Sequence, residues 1–240
     1  MRIIFIGCVI ASALFQVRCK KTETASQPVT PTQIALQFTV ENEILKFDTL
    51  GYYNAAGNNY SISNLIFYLS AFEFENTTGQ IYKFNDVYLV DVKNKNNLNL
   101  SFTDLPAGTY KRVTFLIGLD SLHNLSNALP NTIENNNMAW PPAMGGGYHF
   151  IKLEGKFMDQ NQMFGMAIHL GRNQNCVVIN ITQNISLKPE MNRINLSMNI
   201  NEWFKNPHIY DLNIDGNFTM SDSAAMAKIK QNGSDVFTIN

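Results

Sequence analysis

The side chains best equipped for chemistry are imidazoles and thioethers gathered in the second half of the chain: His123, Met138, Met144, His149 and His169, with Trp140 among them. The three histidines among them come from a complement of only 4. Imidazole together with thioether is the ligand mixture that suits Cu(I), whereas Mg²⁺ or Ca²⁺ calls for clustered carboxylates and a structural Zn²⁺ for several Cys or His at close spacing. Copper is the metal these residues fit. The competing account is plain packing, since a lone strand histidine is often satisfied within the fold and a Met beside a Trp usually fills space.

Other constellations carry less. Asp120, Ser121 and His123 include the residue types of a hydrolytic triad, but they are crowded together on one loop and no Gly-x-Ser-x-Gly elbow accompanies them. Phosphate-cradling glycine motifs, paired histidines at helical spacing and Cys-x-x-Cys are absent, so the sequence reads as that of a protein that is not an enzyme. Cys176, followed by Val177, Val178 and Ile179, reads as a buried small hydrophobe, and His208 beside Pro207 as a solvated or capping residue. The balance of 18 basic against 19 acidic residues gives no electrostatic reason to expect nucleic acid or an anionic membrane surface as a partner.

The elements that must position these residues show a period of two. Ile34, Leu36, Phe38 and Val40 alternate with mostly polar neighbours, as do Leu65, Phe67 and Leu69, then Val113, Phe115 and Ile117, then Ile151 and Leu153, then Ile194, Leu196 and Met198. Turn signals such as Asn76-Thr77-Thr78-Gly79, Leu105-Pro106-Ala107-Gly108 and Asp159-Gln160-Asn161 separate them. The expectation is an all-β fold, a single antiparallel β-sandwich with little helix. Ser221 or Asp222 would cap one short helix through Ala224, Ala225, Ala227 and Ile229, and Asn201 to Asn206 would form a single turn. One long loop, about 119–146, interrupts the meander; it holds Met138, Trp140, Pro141, Pro142 and Met144 and ends at Gly145, Gly146 and Gly147, which permit positive φ. Its apolar side chains predict that it packs on the sandwich.

Parity poses a problem for a metal site. His149 shares its phase with Ile151 and Leu153, which directs it to the core, whereas His169 is out of phase with Phe164, Met166 and Ile168. The two rings then point to opposite faces unless a bulge, or their position at a strand end beside the long loop, brings them together.

The N-terminus reads as an export signal. Arg2 precedes a short apolar run from Ile3 to Leu14, too short for a permanent membrane helix. Cys19, followed by Lys20, Lys21 and a Ser/Thr/Pro-rich stretch, fits a lipid-attachment cysteine on a flexible tether, although Arg18 stands where a small residue is usual; a soluble secreted protein cleaved nearby is the alternative. The resulting organisation is a signal peptide over 1–18, a lipidated tether over 19–32 and one domain over 33–240, held at the cell envelope, in the periplasm or at the cell surface, by an anchor placed in the outer membrane. Loss of Cys8 with the signal and acylation of Cys19 would leave Cys176 without a disulfide partner, so packing alone must hold the fold.

Several blocks in order resemble the MbnP-like copper-binding family. They are Ile117-Gly118-Leu119-Asp120-Ser121-Leu122-His123-Asn124, Asn137-Met138-Ala139-Trp140-Pro141, Met144-Gly145-Gly146-Gly147-Tyr148-His149-Phe150-Ile151-Lys152-Leu153-Glu154-Gly155 and Ile168-His169-Leu170-Gly171, supported by Phe67-Tyr68-Leu69-Ser70, Val87-Tyr88-Leu89-Val90-Asp91 and Leu105-Pro106-Ala107-Gly108-Thr109-Tyr110. The resemblance spans about residues 34 to 205. It implies a β-sandwich that binds copper outside the cytoplasm, in some members through histidines and a tryptophan oxidised to kynurenine by a partner di-haem enzyme related to cytochrome c peroxidases; Trp140 is the matching tryptophan. The chain departs from members of methane-oxidising bacteria in carrying Pro142 where a second Trp falls, extra residues, and His149 in place of a Lys; its long Asn-rich mature sequence and loose lipoprotein site resemble instead a Bacteroidetes-like lipoprotein branch. The expectation is an extracytoplasmic copper-scavenging or storage lipoprotein whose ligands come from His123, His149 and His169 with Met138, Met144 or Trp140 nearby. The alternative is a metal-free surface sandwich that binds a glycan or a partner protein through exposed Trp140 and Tyr148.

Overall fold

Where apolar residues alternate along a strand, burying one face removes all of them from water together, and two such faces laid against each other form a core. The computed structural model, which describes residues 29–240, resolves this pattern into thirteen strands: β1 (Val29–Val40), β2 (Glu43–Ile44), β3 (Tyr52–Tyr53), β4 (Asn59–Asn76), β5 (Ile81–Phe84), β6 (Tyr88–Asp91), β7 (Asn99–Pro106), β8 (Gly108–Ile117), β9 (His149–Asp159), β10 (Gln162–Gly171), β11 (Val177–Leu187), β12 (Asn192–Asn199) and β13 (Phe237–Ile239). One sheet runs β13-β12-β1-β2, with β7 also on β1; the other runs β10-β9-β4-β8-β11, with β3, β5 and β6 also on β4. The fold is the expected all-β sandwich.

Aromatic rings join the two sheets. Phe38 meets Phe67 at 6.0 Å, Phe237 meets Phe115 at 5.4 Å, and Phe102 meets Phe72 at 5.1 Å, each pair edge to face and each drawn from opposite sheets. Leu65, Phe67, Ile151, Leu153, Ile168 and Leu170 line the inner face of the second sheet and are almost wholly buried. Thr39, Ser101 and the other out-of-phase residues of the strands alternate away from it.

The ladders are antiparallel except that β1 and β12 run parallel, from Thr32 opposite Asn192 to Thr39 opposite Asn199. A parallel pair needs a crossover connection, and here the whole second sheet lies between the two strands in sequence. The signal peptide, Cys19 and most of the proposed tether lie outside the described residues. The end of that tether needs correcting: the chain is already paired with Pro106 at Val29, so residues 29–32 belong to a strand and the domain starts earlier than 33. The expected helix is α2 (Ser223–Asn232), capped by the Asp222 carboxylate, which accepts from the Ala224 and Ala225 amides. The expected single turn is a 3₁₀ segment, Ile200–Phe204. No helix among the described residues is long and apolar enough to cross a membrane.

The longest strand, β4, organises the site. It pairs with β9 over Asn59–Phe67 and with β8 over Leu69–Asn76, so β8 ends where β9 begins. The long loop leaves and returns at that junction. Gly118 is required there: its φ is +126°, and a Cβ on it would lie 2.8 Å from the Phe150 ring.

Candidate metal centre

The long loop folds over the outer face of the second sheet, the side that carries Ile66, Tyr68 and Lys152. It contains one short helix, α1 (Ile133–Asn137), capped by Thr132, and a 3₁₀ turn at Pro142–Met144. Its beginning and end are stitched together: the Asn124 carboxamide accepts the Tyr148 amide at 2.8 Å and donates to Asn173 at 2.7 Å, and Ser126 Oγ accepts the Gly147 amide at 3.0 Å. Tyr68 donates to the Asn135 side chain at 2.8 Å and its ring meets Tyr148 edge to face. Gly145, Gly146 and Gly147 all have positive φ, as their run predicts. The loop is therefore packed on the sandwich.

The parity conflict between His149 and His169 is resolved by a bulge. The β9–β10 ladder pairs Leu170 with Ile151 and then Gly171 with His149, so β9 spends one extra residue, Phe150, which turns into the core. His149 is thereby switched onto the face shared by Gly171 and His169. The two imidazoles lie 5.0 Å apart, centroid to centroid, at 88°, and are 5 % and 7 % exposed.

Each ring is held through one nitrogen. His169 Nε2 donates to Glu154 Oε1 at 2.7 Å, and His149 Nδ1 donates to the Met138 carbonyl at 3.1 Å; both assignments follow from the partner's being an acceptor only. His169 Nδ1 is buried with no hydrogen-bond partner. Burial, with Lys152 and His169 close by, pushes the His149 pKa down from its usual 6.5 to about 4, so this imidazole is neutral at ordinary pH. The hydrogen bond from His169 holds the Glu154 carboxyl down at about 2 against the opposing effect of burial, with Asn64 adding a second donor at 2.8 Å. Lys152 sits beside them, its ammonium donating to the Asn137 carbonyl at 2.5 Å.

Trp140 closes the cluster. Its ring centroid is 4.7 Å from that of His149, and its indole N–H donates to the Met144 carbonyl at 3.2 Å, an oxygen that Arg172 Nε also reaches at 3.0 Å. On its other side it lies on Gly171, where a Cβ would sit 2.3 Å from Cε3. Met138 is buried and Met144 half-buried. Both contribute backbone carbonyls to the cluster. The reading of Trp140 and Tyr148 as exposed anchors is overturned: they are 1 % and 4 % exposed, because the loop folds inward onto Gly171 and Tyr68.

His123 stands apart from the pair. Its Nδ1 meets the Asp120 carboxylate at 2.9 and 3.0 Å, the same carboxylate that accepts the backbone amides of Leu122 and His123, and its ring has no aromatic contact with His149 or His169. Asp120 thus acts as a turn cap. Cys176 packs against the core but is only partly buried, short of the full burial expected of it, and its thiol is pushed up to about 11 by that burial. His208 lies against Gln231 and receives a cap from Asn232 on its backbone amide. Among the described residues no group of three or more His, Cys, Asp or Glu side chains comes together as a metal cage, so the centre is a histidine pair flanked by an indole.

A model of the MbnP family matches residues 29–222, which hold β1 to β12 and the long loop. The chain belongs to the MbnP family. MbnP from Methylosinus trichosporium shares its fold, with a TM-score of 0.54 at 12 % sequence identity over 88 % of this chain and 98 % of that one. No curated protein matches.

In this MbnP-family chain the residues that support the pair were not singled out by sequence alone. Glu154 and Asn64 are joined across the β4–β9 ladder, and Thr219 ties both the amide and the carbonyl of His169, at 2.7 and 2.6 Å. A signal existed for Glu154: it is in phase with Lys152 on the polar face of β9, in the block that also holds His149. Thr219 lies in an irregular segment tied to β10 at Gly165, Ala167 and His169, and no periodicity marks it.

Proposed function

We propose that this protein binds copper as cargo, outside the cytoplasm, with His149 and His169 as ligands beside Trp140, and that it scavenges or stores the metal without catalysing a reaction. The observation that carries this reading is the division of labour within each imidazole. One nitrogen is committed to an outer acceptor, Glu154 for His169 and the Met138 carbonyl for His149, which is the arrangement that orients metal-ligating histidines. The other nitrogen is left open, and in His169 it is a buried polar atom with nothing to satisfy it. A neutral His149 supplies a lone pair at ordinary pH. With the one thiol of the described residues partly buried and pushed up to about 11, imidazole and thioether are the donors that remain, the mixture that suits copper.

Family membership supports the same ion and makes Trp140 the residue to inspect for oxidation to kynurenine, with a di-haem enzyme related to cytochrome c peroxidases as the modifying partner. Cys19 is the proposed point of lipid attachment, placing the domain at the outer membrane. The test is to purify the mature protein from copper-supplemented native cells, measure bound metals and map the mass of the Trp140 peptide. Copper in the wild type and its loss from a His149→Ala, His169→Ala variant are the expected results. Equal metal content in the two would sink the site.

A further inference from the structure

We infer that Glu154 is the positioning residue that fixes which nitrogen of His169 is offered to a ligand, so that the pair presents Nδ1 from His169 and Nε2 from His149. The inference rests on the copper reading for its purpose and on hydrogen bonding for its substance.

An imidazole that is neutral carries one proton, and its place is set by what each nitrogen faces. For His169 the carboxylate of Glu154 lies 2.7 Å from Nε2. A carboxylate has no hydrogen to give, so the proton belongs on Nε2 and the lone pair on Nδ1. That lone pair is the buried atom without a partner; a proton there would be a buried donor without an acceptor, the costlier defect. For His149 the Met138 carbonyl, 3.1 Å from Nδ1, places the proton on Nδ1 and the lone pair on Nε2. The two rings are held in opposite tautomers.

Glu154 is itself braced. Its Oε2 accepts from Asn64 Nδ2 at 2.8 Å, and Asn64 is its partner in the β4–β9 ladder, so the carboxylate plane is anchored to the neighbouring strand. The ladder places Lys152 directly opposite His169 and Glu154 two pairs along, opposite Ala167 and on the same face. Glu154 thus reaches Nε2 diagonally along the sheet, while the buried Nδ1 keeps no hydrogen-bond partner. Thr219 fixes the His169 backbone from the other edge, so the ring cannot trade the contact for another by sliding.

The test begins on metal-free protein. In ¹⁵N-histidine-labelled wild type, long-range ¹H–¹⁵N correlations should show the Nε2–H pattern for His169 and the Nδ1–H pattern for His149. Glu154→Gln keeps an acceptor oxygen for Nε2–H and should retain the His169 pattern; Glu154→Leu should shift it to a mixture or to Nδ1–H. Cu(I) affinity, measured by competition with a chromophoric chelator, should fall about 10- to 100-fold in Glu154→Leu and stay within a few fold of wild type in Glu154→Gln. An Nδ1–H His169 in the wild type overturns the inference even if the Leu variant fails to fold. So does an unchanged His169 pattern in a folded Leu variant. Tautomers as stated in a wild type that takes up no Cu(I) support the positioning role while sinking the copper reading, so the two failures are distinct.

Discussion

Gly171→Ala probes the contact on which the cluster leans. The added methyl would sit 2.3 Å from Trp140 Cε3, 2.6 Å from Cζ3 and 2.8 Å from Cδ2, against an ordinary carbon–carbon contact of about 3.5–4.0 Å. The indole must therefore retreat by more than about 1 Å to restore normal contact. It has little freedom to do so, with His149 at 4.7 Å on one side, a hydrogen bond to the Met144 carbonyl at 3.2 Å, and almost complete burial. Overpacking of this kind costs about 1–3 kcal/mol. The backbone of Gly171 is not in the left-handed region, so the cost is steric and belongs to the ring. Urea denaturation of the metal-free protein should show the loss in full for Gly171→Ala and at least half of it relieved when Trp140 is Phe, a double-mutant coupling. A loss under about 0.5 kcal/mol, or the same loss in both backgrounds, would refute the claim that Gly171 is small because Trp140 lies on it.

Stability should fall in two acid windows. His149 is depressed from 6.5 to about 4 in the folded state, so its contribution is present above the unfolded value and is lost as pH falls from 6.5 towards 4, by up to about 3 kcal/mol; His149→Phe should flatten that slope in denaturation curves. Glu154, depressed from 4.5 to about 2, adds a second loss between those values, absent in Glu154→Gln. Asn124→Ala leaves the buried Tyr148 amide without its acceptor and should cost about 1–3 kcal/mol, read as faster hydrogen exchange at that amide. Phe72→Ala, which removes a ring stacked on Phe115 at 4.8 Å in the core, should cost about 3–5 kcal/mol by thermal or urea unfolding. Asp222→Ala should cost about 1 kcal/mol through loss of the α2 cap.

The sequence by itself determined what local patterns can encode. Period-two runs such as Ile34, Leu36 and Phe38 name strands because burial of one face is a property of each strand separately. Asp222 before an alanine-rich turn names a capped helix for the same local reason. The ordered blocks around His149 and His169 identified the family, and the wealth of apolar residues in the long loop gave its packing onto the sheet.

Direction and phase were decided only by the tertiary structure. Alternation reads the same forwards and backwards, so nothing local told β1 to lie parallel to β12. Parity assigned His149 and His169 to opposite faces, and a single unpaired residue, Phe150, reversed that outcome by turning into the space over Gly118. The loop that looked able to expose Trp140 and Tyr148 instead buried both, because Gly171 leaves room for an indole and Tyr68 offers an edge to a phenol ring. Which imidazole nitrogens remain open depends on Glu154, Asn64 and the Met138 carbonyl, contacts across strands and loop that a linear pattern does not record.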